Sequence, residues 1–254
     1  MYIKNIIILN REVSAVCGAY GLSVKTIKDI INRFDLEIED ENVEDFKPRW
    51  NIRPGQNNPV VVKKAKSEKN QIEMMHWGLL PHFARDDQYK HKPINARAET
   101  VEELPSFRHP FHRTRCLIPF TGFYEPDKIH FSKNPFPWRY FQMKDHSICA
   151  FAGLYDFWKD KNSGKEIHSY TIITTVPNTI VGKYHDRMPV ILEKEDEDTW
   201  LNPGIEAQKL LPLLKSFNSE KMEEWEVGAA ARNPINDYPE LIEPVKSSRQ
   251  GTLF

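Results

Sequence analysis

Cysteine is scarce in this chain, with Cys17, Cys116 and Cys149 the only three in 254 residues. An odd number with no C-x-x-C excludes a complete disulfide framework and a common zinc ribbon. Glycine is scarce too. Its 11 residues form neither a Walker loop nor a G-x-G-x-x-G, so no nucleotide fingerprint is present and no cofactor is expected. Long apolar runs are missing. The first, Ile6-Ile7-Ile8-Leu9, is too short for a signal-peptide core or a membrane span, and no later run approaches the length of a bilayer crossing. A cytoplasmic protein is therefore expected. Net charge is absent as well: 35 basic residues meet 36 acidic ones. That balance excludes a globally basic nucleic-acid coat but leaves room for a local basic patch.

What is present is core-forming material, 40% hydrophobic and 11% aromatic. At about 150 residues per domain the length suits one large domain or two small ones. Ser23 is placed to cap a helix bearing Val24, Ile27, Ile30, Ile31 and Phe34 on one face. Residues 35–45 are strongly acidic without apolar periodicity, the pattern of a solvated loop. Residues 60–62 and 72–77 predict one hairpin, and residues 138–143 and 147–155 a second across Lys144-Asp145. Residues 115–120, 122–125, 170–175 and 188–192 add short strands. Helical signals return at residues 195–201 and 205–214, with Pro212 placed to end or kink the latter. No repeat or long linker divides the chain. The pattern predicts one α+β domain with a mostly antiparallel, barrel-like sheet flanked by helices.

Three clusters carry candidate chemistry. In Pro93-Ile94-Asn95-Ala96-Arg97-Ala98-Glu99, polar groups interleave with small residues. In Arg115-Cys116-Leu117-Ile118-Pro119-Phe120-Thr121-Gly122-Phe123-Tyr124-Glu125-Pro126, a carboxylate ends an aromatic strand, a setting that raises a carboxyl pKa. In Tyr184-His185-Asp186-Arg187-Met188-Pro189, a histidine and an arginine precede a buried strand. Each also has a plain structural reading: Asn95 as a turn former, Glu125 as an arginine partner, His185 as a helix-end residue. Arg108, His109, His112, Arg113 and Arg115 form a basic cluster interleaved with Phe107 and Phe111, with Trp77 and Phe83 upstream. Charge for phosphates plus flat faces for bases suits single-stranded nucleic acid. His109 with His112, or His146 with Cys149, has metal-ligand spacing, but neither pair has a second pair, so no metal site is expected.

Taken together, Cys17-Gly18, Trp77-Gly78-Leu79 with Pro81, Asn95-Ala96-Arg97-Ala98-Glu99, Arg115 to Pro119 with Gly122-Phe123-Tyr124-Glu125, Phe151-Ala152-Gly153-Leu154 and His185-Asp186-Arg187-Met188-Pro189-Val190-Ile191-Leu192 resemble the SOS-response-associated peptidase family of abasic-site processing proteins. The matches run in the family's order over nearly the whole chain. The resemblance implies the family's fold, with residues 17–245 as its domain, residues 1–16 as an extension and residues 246–254 as a tail. It implies a monomer that covalently caps abasic sites in single-stranded DNA. Cys17 matches the family's N-terminal cysteine, whose α-amine and thiol together close a thiazolidine on the opened sugar's aldehyde. By the same resemblance Asn95 holds the sugar, Glu125 is general acid and base, and His185 assists proton transfer and reversal of the link. Arg97 and Arg187 grip phosphates, with Arg108 and Arg113 adding basic contacts, and Trp77 supports or stacks on the strand. Peptidase and lyase activities are further implied. A thiol peptidase or amidase using Cys17, His185 and Glu125 is the alternative, and a non-catalytic single-strand-binding module a third reading.

The chain departs from the family twice. Ala19 stands where the family has arginine, which removes one expected phosphate contact. Sixteen residues also precede Cys17. Three routes account for them: self-removal, translation starting at Val16 (the favoured one), or persistence with loss of the cross-link.

Overall fold

A computed structural model describes residues 17–37, 46–64, 69–128 and 137–245. In chain order these hold β1 (Tyr20–Leu22), α1 (Ile27–Phe34), β2 (Leu36–Glu37), β3 (Arg49–Ile52), β4 (Asn57–Val62), β5 (Asn70–Trp77), β6 (Asn95–Arg97), α2 (Pro105–Arg113), β7 (Arg115–Phe120), β8 (Gly122–Pro126), β9 (Trp138–Met143), β10 (Cys149–Lys159), β11 (Glu166–Thr175), β12 (Met188–Pro189), α3 (Lys194–Leu201), α4 (Ala207–Leu210) and β13 (Met222–Val227).

The β-branched run Val60-Val61-Val62 lies wholly buried in β4, which pairs antiparallel with β5, Val61 opposite Ile72. β4 continues to β7, β7 to β10 and β10 to β11. β11 then returns beside β5 in parallel, Ser169 against His76 and Tyr170 against Trp77. Those five strands close into a barrel, which leaves them no open edge. β2 extends β5, while β6 and β12 pair with β11. At Gly153 the wall is tight. A Cβ there would overlap Ile118 and stand 3.0 Å from the Cys116 sulfur, so any side chain would push β7 and β10 apart.

A second, antiparallel sheet runs in the order β13-β9-β8-β1-β3. The chain passes from barrel to sheet through Thr121, and an aromatic seam joins the two layers there. Phe120 stacks on Phe151 at 3.8 Å, and Phe123 stacks on Phe141 at 5.1 Å while meeting Phe151 edge-on. All four rings are fully buried. Each is worth roughly 1.5–3 kcal/mol in burial alone, so the seam is a main tie between the layers.

The α+β class, the barrel-like antiparallel core and the β4–β5 hairpin agree with the sequence pattern. Several local expectations do not. Residues 138–143 and 147–155 form no hairpin: β9 pairs with β8 and β13, whereas β10 pairs with β7 and β11. The connecting turn holds His146 in left-handed backbone (φ 55°), its ring bonded to Gln142, and sends the chain into the other layer. Ser23 is no helix cap. Its hydroxyl pairs with that of Thr121, and α1 starts after Thr26, whose N–H donates to the Asp29 carboxylate at 2.8 Å. The strand expected over 188–192 shrinks to β12 plus a bridge from Ile191 to Phe151. The helix expected over 205–214 becomes the short α4 and a 3₁₀ turn containing Pro212. Most of the acidic 35–45 segment, the first sixteen residues and residues 246–254 lie outside the described residues.

Candidate active site

β1 and β8 run antiparallel with Tyr20 opposite Phe123, and the Tyr124 N–H donates to the Ala19 carbonyl. Continuing that register brings Cys17, just before β1, beside Glu125 near the end of β8. The Cys17 backbone N–H donates to Glu125 Oε1 at 2.8 Å. Cys17 itself has left-handed backbone (φ 47°), a costly conformation for a side-chain-bearing residue, of order 1–2 kcal/mol. His185 enters from the 3₁₀ turn Val181–Lys183, and the same turn is tied to the end of β8 by a Lys128 N–H to Tyr184 carbonyl bond. His185 Nε2 faces Glu125 Oε2 at 3.8 Å, and neither atom has a hydrogen-bond partner although both are buried.

Burial decides the charge states here. Desolvation raises the Glu125 carboxyl to about 8, against the opposing pull of the Cys17 N–H and Lys128. Desolvation and the nearby Lys128 charge lower His185 to about 4, so the ring is neutral at physiological pH. Its Nδ1 accepts the Arg187 N–H at 3.1 Å and lies 3.0 Å from Asp186 Oδ1, while Nε2 is aimed at Glu125. Burial, reinforced by the Glu125 charge, pushes the Cys17 thiol well above its ordinary value. The site therefore holds a neutral thiol, a carboxyl that titrates near neutrality and a neutral imidazole sharing one buried space.

Asn95 and Arg97 lie two apart on β6, hence on one face, with Ala96 buried opposite. β6 runs beside β11, Asn95 in register with Ile172 and Arg97 with Thr174. The Arg187 guanidinium reaches the same stretch: it donates to both carboxylate oxygens of Glu99 (2.6 and 2.9 Å) and to the Thr174 carbonyl at 2.7 Å. Arg97, Arg108 and Arg113 are exposed. On α2, Arg108, His109, His112 and Arg113 span an arc of about 140°, a single basic face.

Two sequence expectations change. Trp77 is 0% exposed, tilted on Tyr20 at 5.2 Å and stacked on Tyr170 at 6.2 Å, with its indole N–H given to the Ile94 carbonyl. The ring fills the core and offers no face for a base. Arg115 leaves the basic cluster. It is buried and donates to the carbonyls of Phe111, Trp200 and Asn202, closing the C-terminal ends of α2 and α3. Ala19 is likewise wholly buried, packed with Tyr124 and Tyr140, and presents nothing to a ligand. Glu99 lies in the same motif as Arg97, but the motif alone assigns it no role. Lys128 is marked by no motif.

This arrangement, a buried cysteine–carboxyl–imidazole set between a closed barrel and a second sheet, defines the class of protein. The model for SOS response associated peptidase (SRAP) matches residues 16–234. The chain belongs to this family. It is 38% identical over 229 residues to the abasic site processing protein YoqW of Bacillus subtilis, covering 90% of this chain and 99% of that one. It is 27% identical to the abasic site processing protein HMCES of Xenopus tropicalis, covering 80% of this chain and 68% of that one. A crystal structure of a protein from Bacteroides thetaiotaomicron, 28% identical, superimposes with a TM-score of 0.80 over 90% of this chain and all of that one. Among the described residues no helix is long and apolar enough to cross a membrane.

Proposed function

We propose that the chain, working with Cys17 as its first residue, caps abasic sites in single-stranded DNA through a thiazolidine, with residues 17–245 forming the working domain. The observation that carries this reading is the 2.8 Å bond from the Cys17 nitrogen to Glu125, with His185 on the carboxyl's other side. When that nitrogen is an α-amine its ordinary pKa is about 8. Glu125, whose carboxyl burial raises, then lies at direct proton-transfer distance from that amine. Glu125 takes a proton from the ammonium, and the free amine attacks the aldehyde carbon of the opened sugar. The carbinolamine hydroxyl leaves as water with a proton from Glu125, giving the protonated imine. The Cys17 sulfur then adds to the same carbon, and its proton returns to the Glu125–His185 pair. Aldehyde, amine and thiol thus give thiazolidine and one water. Asn95 on β6 holds the opened sugar, and the exposed Arg97, Arg108 and Arg113 take phosphates.

The thiol peptidase alternative needs a thiolate, and thiolates form where the pKa is depressed by a cation or a helix N-terminus. Burial and Glu125 push Cys17 the opposite way. For self-removal of residues 1–16 the supporting feature is backbone strain, since the left-handed Cys17 borders the bond to be cut.

The test is an adduct assay. A chain beginning at Cys17, its terminus verified by mass, is incubated with single-stranded DNA carrying an abasic site and resolved under denaturing conditions. A stable adduct is the expected result, and folded protein giving none would overturn the reading.

A further inference from the structure

The geometry points to a zinc site, separate from the Cys17 pocket, formed by His82, His109 and Asp156. These residues come from three places in the chain: the segment after β5, the exposed face of α2, and β10. Their ligand atoms all lie within 4.8 Å of one another. Sequence spacing pairs His109 with His112, but the fold instead turns the His109 ring to His82, with centroids 4.9 Å apart and planes at 58°. Tilted rings with converging edges suit two ligands of one ion better than a flat stack does.

Asp156 is the anchor. Only 3% exposed, it is oriented by two backbone donors: Phe157 N–H to Oδ1 and His82 N–H to Oδ2, each at 2.9 Å. His82 Nδ1 stands 2.8 Å from Oδ2. Ligands about 2.0–2.2 Å from one zinc ion lie roughly 3–3.5 Å apart, so the pair needs only a small opening to share an ion. The imidazole proton now in that contact would move to Nε2, leaving Nδ1 as the ligand with no net proton change. His109, on the exposed side, then completes a two-histidine, one-carboxylate set. Both histidines are exposed, so an ion has an open path and a fourth position for water. The chemistry favours zinc over magnesium or calcium, which prefer all-oxygen sets. One ion here would tie the segment carrying Pro81, His82 and Phe83 to α2.

The full chain, tag-free and stripped of metal with a chelator, is titrated with zinc against a chromophoric competitor. The expectation is one ion per chain, with His109→Ala weakening binding by about a hundredfold, at the upper end of what even an outer partner's loss costs a metal site. His112→Ala, on the same helix but outside the cluster, leaves binding unchanged. His109 is exposed, so its replacement keeps the fold, which circular dichroism verifies. No zinc binding by the wild-type chain, or equal binding by the wild type and His109→Ala, would overturn the site. The readout is the metal, so it stands apart from any outcome with DNA.

Discussion

Glu125 gives one oxygen to the Cys17 N–H and turns the other toward His185, whereas Glu197 gives both oxygens to the Arg33 guanidinium at 2.7 and 2.9 Å. Both carboxylates are buried, 0% and 6% exposed, and desolvation raises the pKa of each. At Glu197 the bidentate arginine opposes that rise and uses up the lone pairs, so the group ties α3 to α1. At Glu125 Oε2 is left over, as is His185 Nε2 facing it. A buried polar atom without a partner costs about 1–3 kcal/mol, and folds keep such atoms mainly where a ligand or a reaction will meet them. Burial alone therefore does not set Glu125 apart from Glu197; incomplete pairing does.

The comparison extends to the cysteines. Cys17 and Cys116 are both fully buried, with thiols raised by desolvation. Cys116 sits near the start of β7 against Gly153, while Cys17 borders Glu125 through its own backbone nitrogen. The largest expected effect follows. Placing one residue, or an acetyl group, before Cys17 should abolish the denaturant-stable adduct, because an amide nitrogen cannot form an imine. Persistence of the adduct in acetylated protein, checked by intact mass, would refute the amine's role.

Next in size is a pair of substitutions that separates the two carboxylates. Glu125→Gln is expected to slow adduct formation by about a hundredfold, the lower end of the range for general acid–base groups, with non-covalent DNA affinity nearly unchanged. Glu197→Gln should leave the adduct rate alone and lower stability by about 1–3 kcal/mol in chemical denaturation. Equal adduct rates in wild type and Glu125→Gln would remove Glu125 from the chemistry.

The pH dependence of stability sharpens the contrast. Glu125 binds its proton more tightly folded, at about 8, than unfolded, at its ordinary 4.5. Its contribution is whole below pH 4.5 and is lost as pH rises towards 8. His185 behaves oppositely: lowered from 6.5 to about 4, it contributes above pH 6.5 and loses that as pH falls towards 4. Glu125→Gln, a neutral mimic, should gain relative stability of order a few kcal/mol between acid and mildly basic pH. Denaturation curves at both ends check this, and a constant difference would contradict it.

The smallest effects concern charge. Glu99 occupies the Arg187 guanidinium as a phosphate would. Glu99→Gln should therefore strengthen non-covalent single-strand binding severalfold, and Arg113→Ala should weaken it and reduce the salt dependence by about one phosphate contact. Fluorescence anisotropy across a salt series reads both.

Much of the site is visible in the chain itself. Cys17, Glu125 and His185 stand out because each lies in a short motif whose chemistry is a property of its side chains. The barrel was legible through runs such as Val60-Val61-Val62, whose burial follows from local hydrophobicity. The β9–β10 misassignment shows the limit, since a turn signal at residues 144–145 does not say which layer the next strand joins. Trp77 shows another: an indole reads the same in sequence whether it stacks on a base or, as here, between Tyr20 and Tyr170.

The sequence by itself determined the candidate groups and their order, because thiol, carboxyl and imidazole chemistry belongs to the residues. Only the tertiary structure decided their states. It joined Cys17 to Glu125 across 108 positions, left the Glu125–His185 contact without a bridging proton bond, and paired Arg187 with Glu99. Those states depend on desolvation and on neighbours remote in sequence, and both exist only once the barrel and the second sheet close on each other.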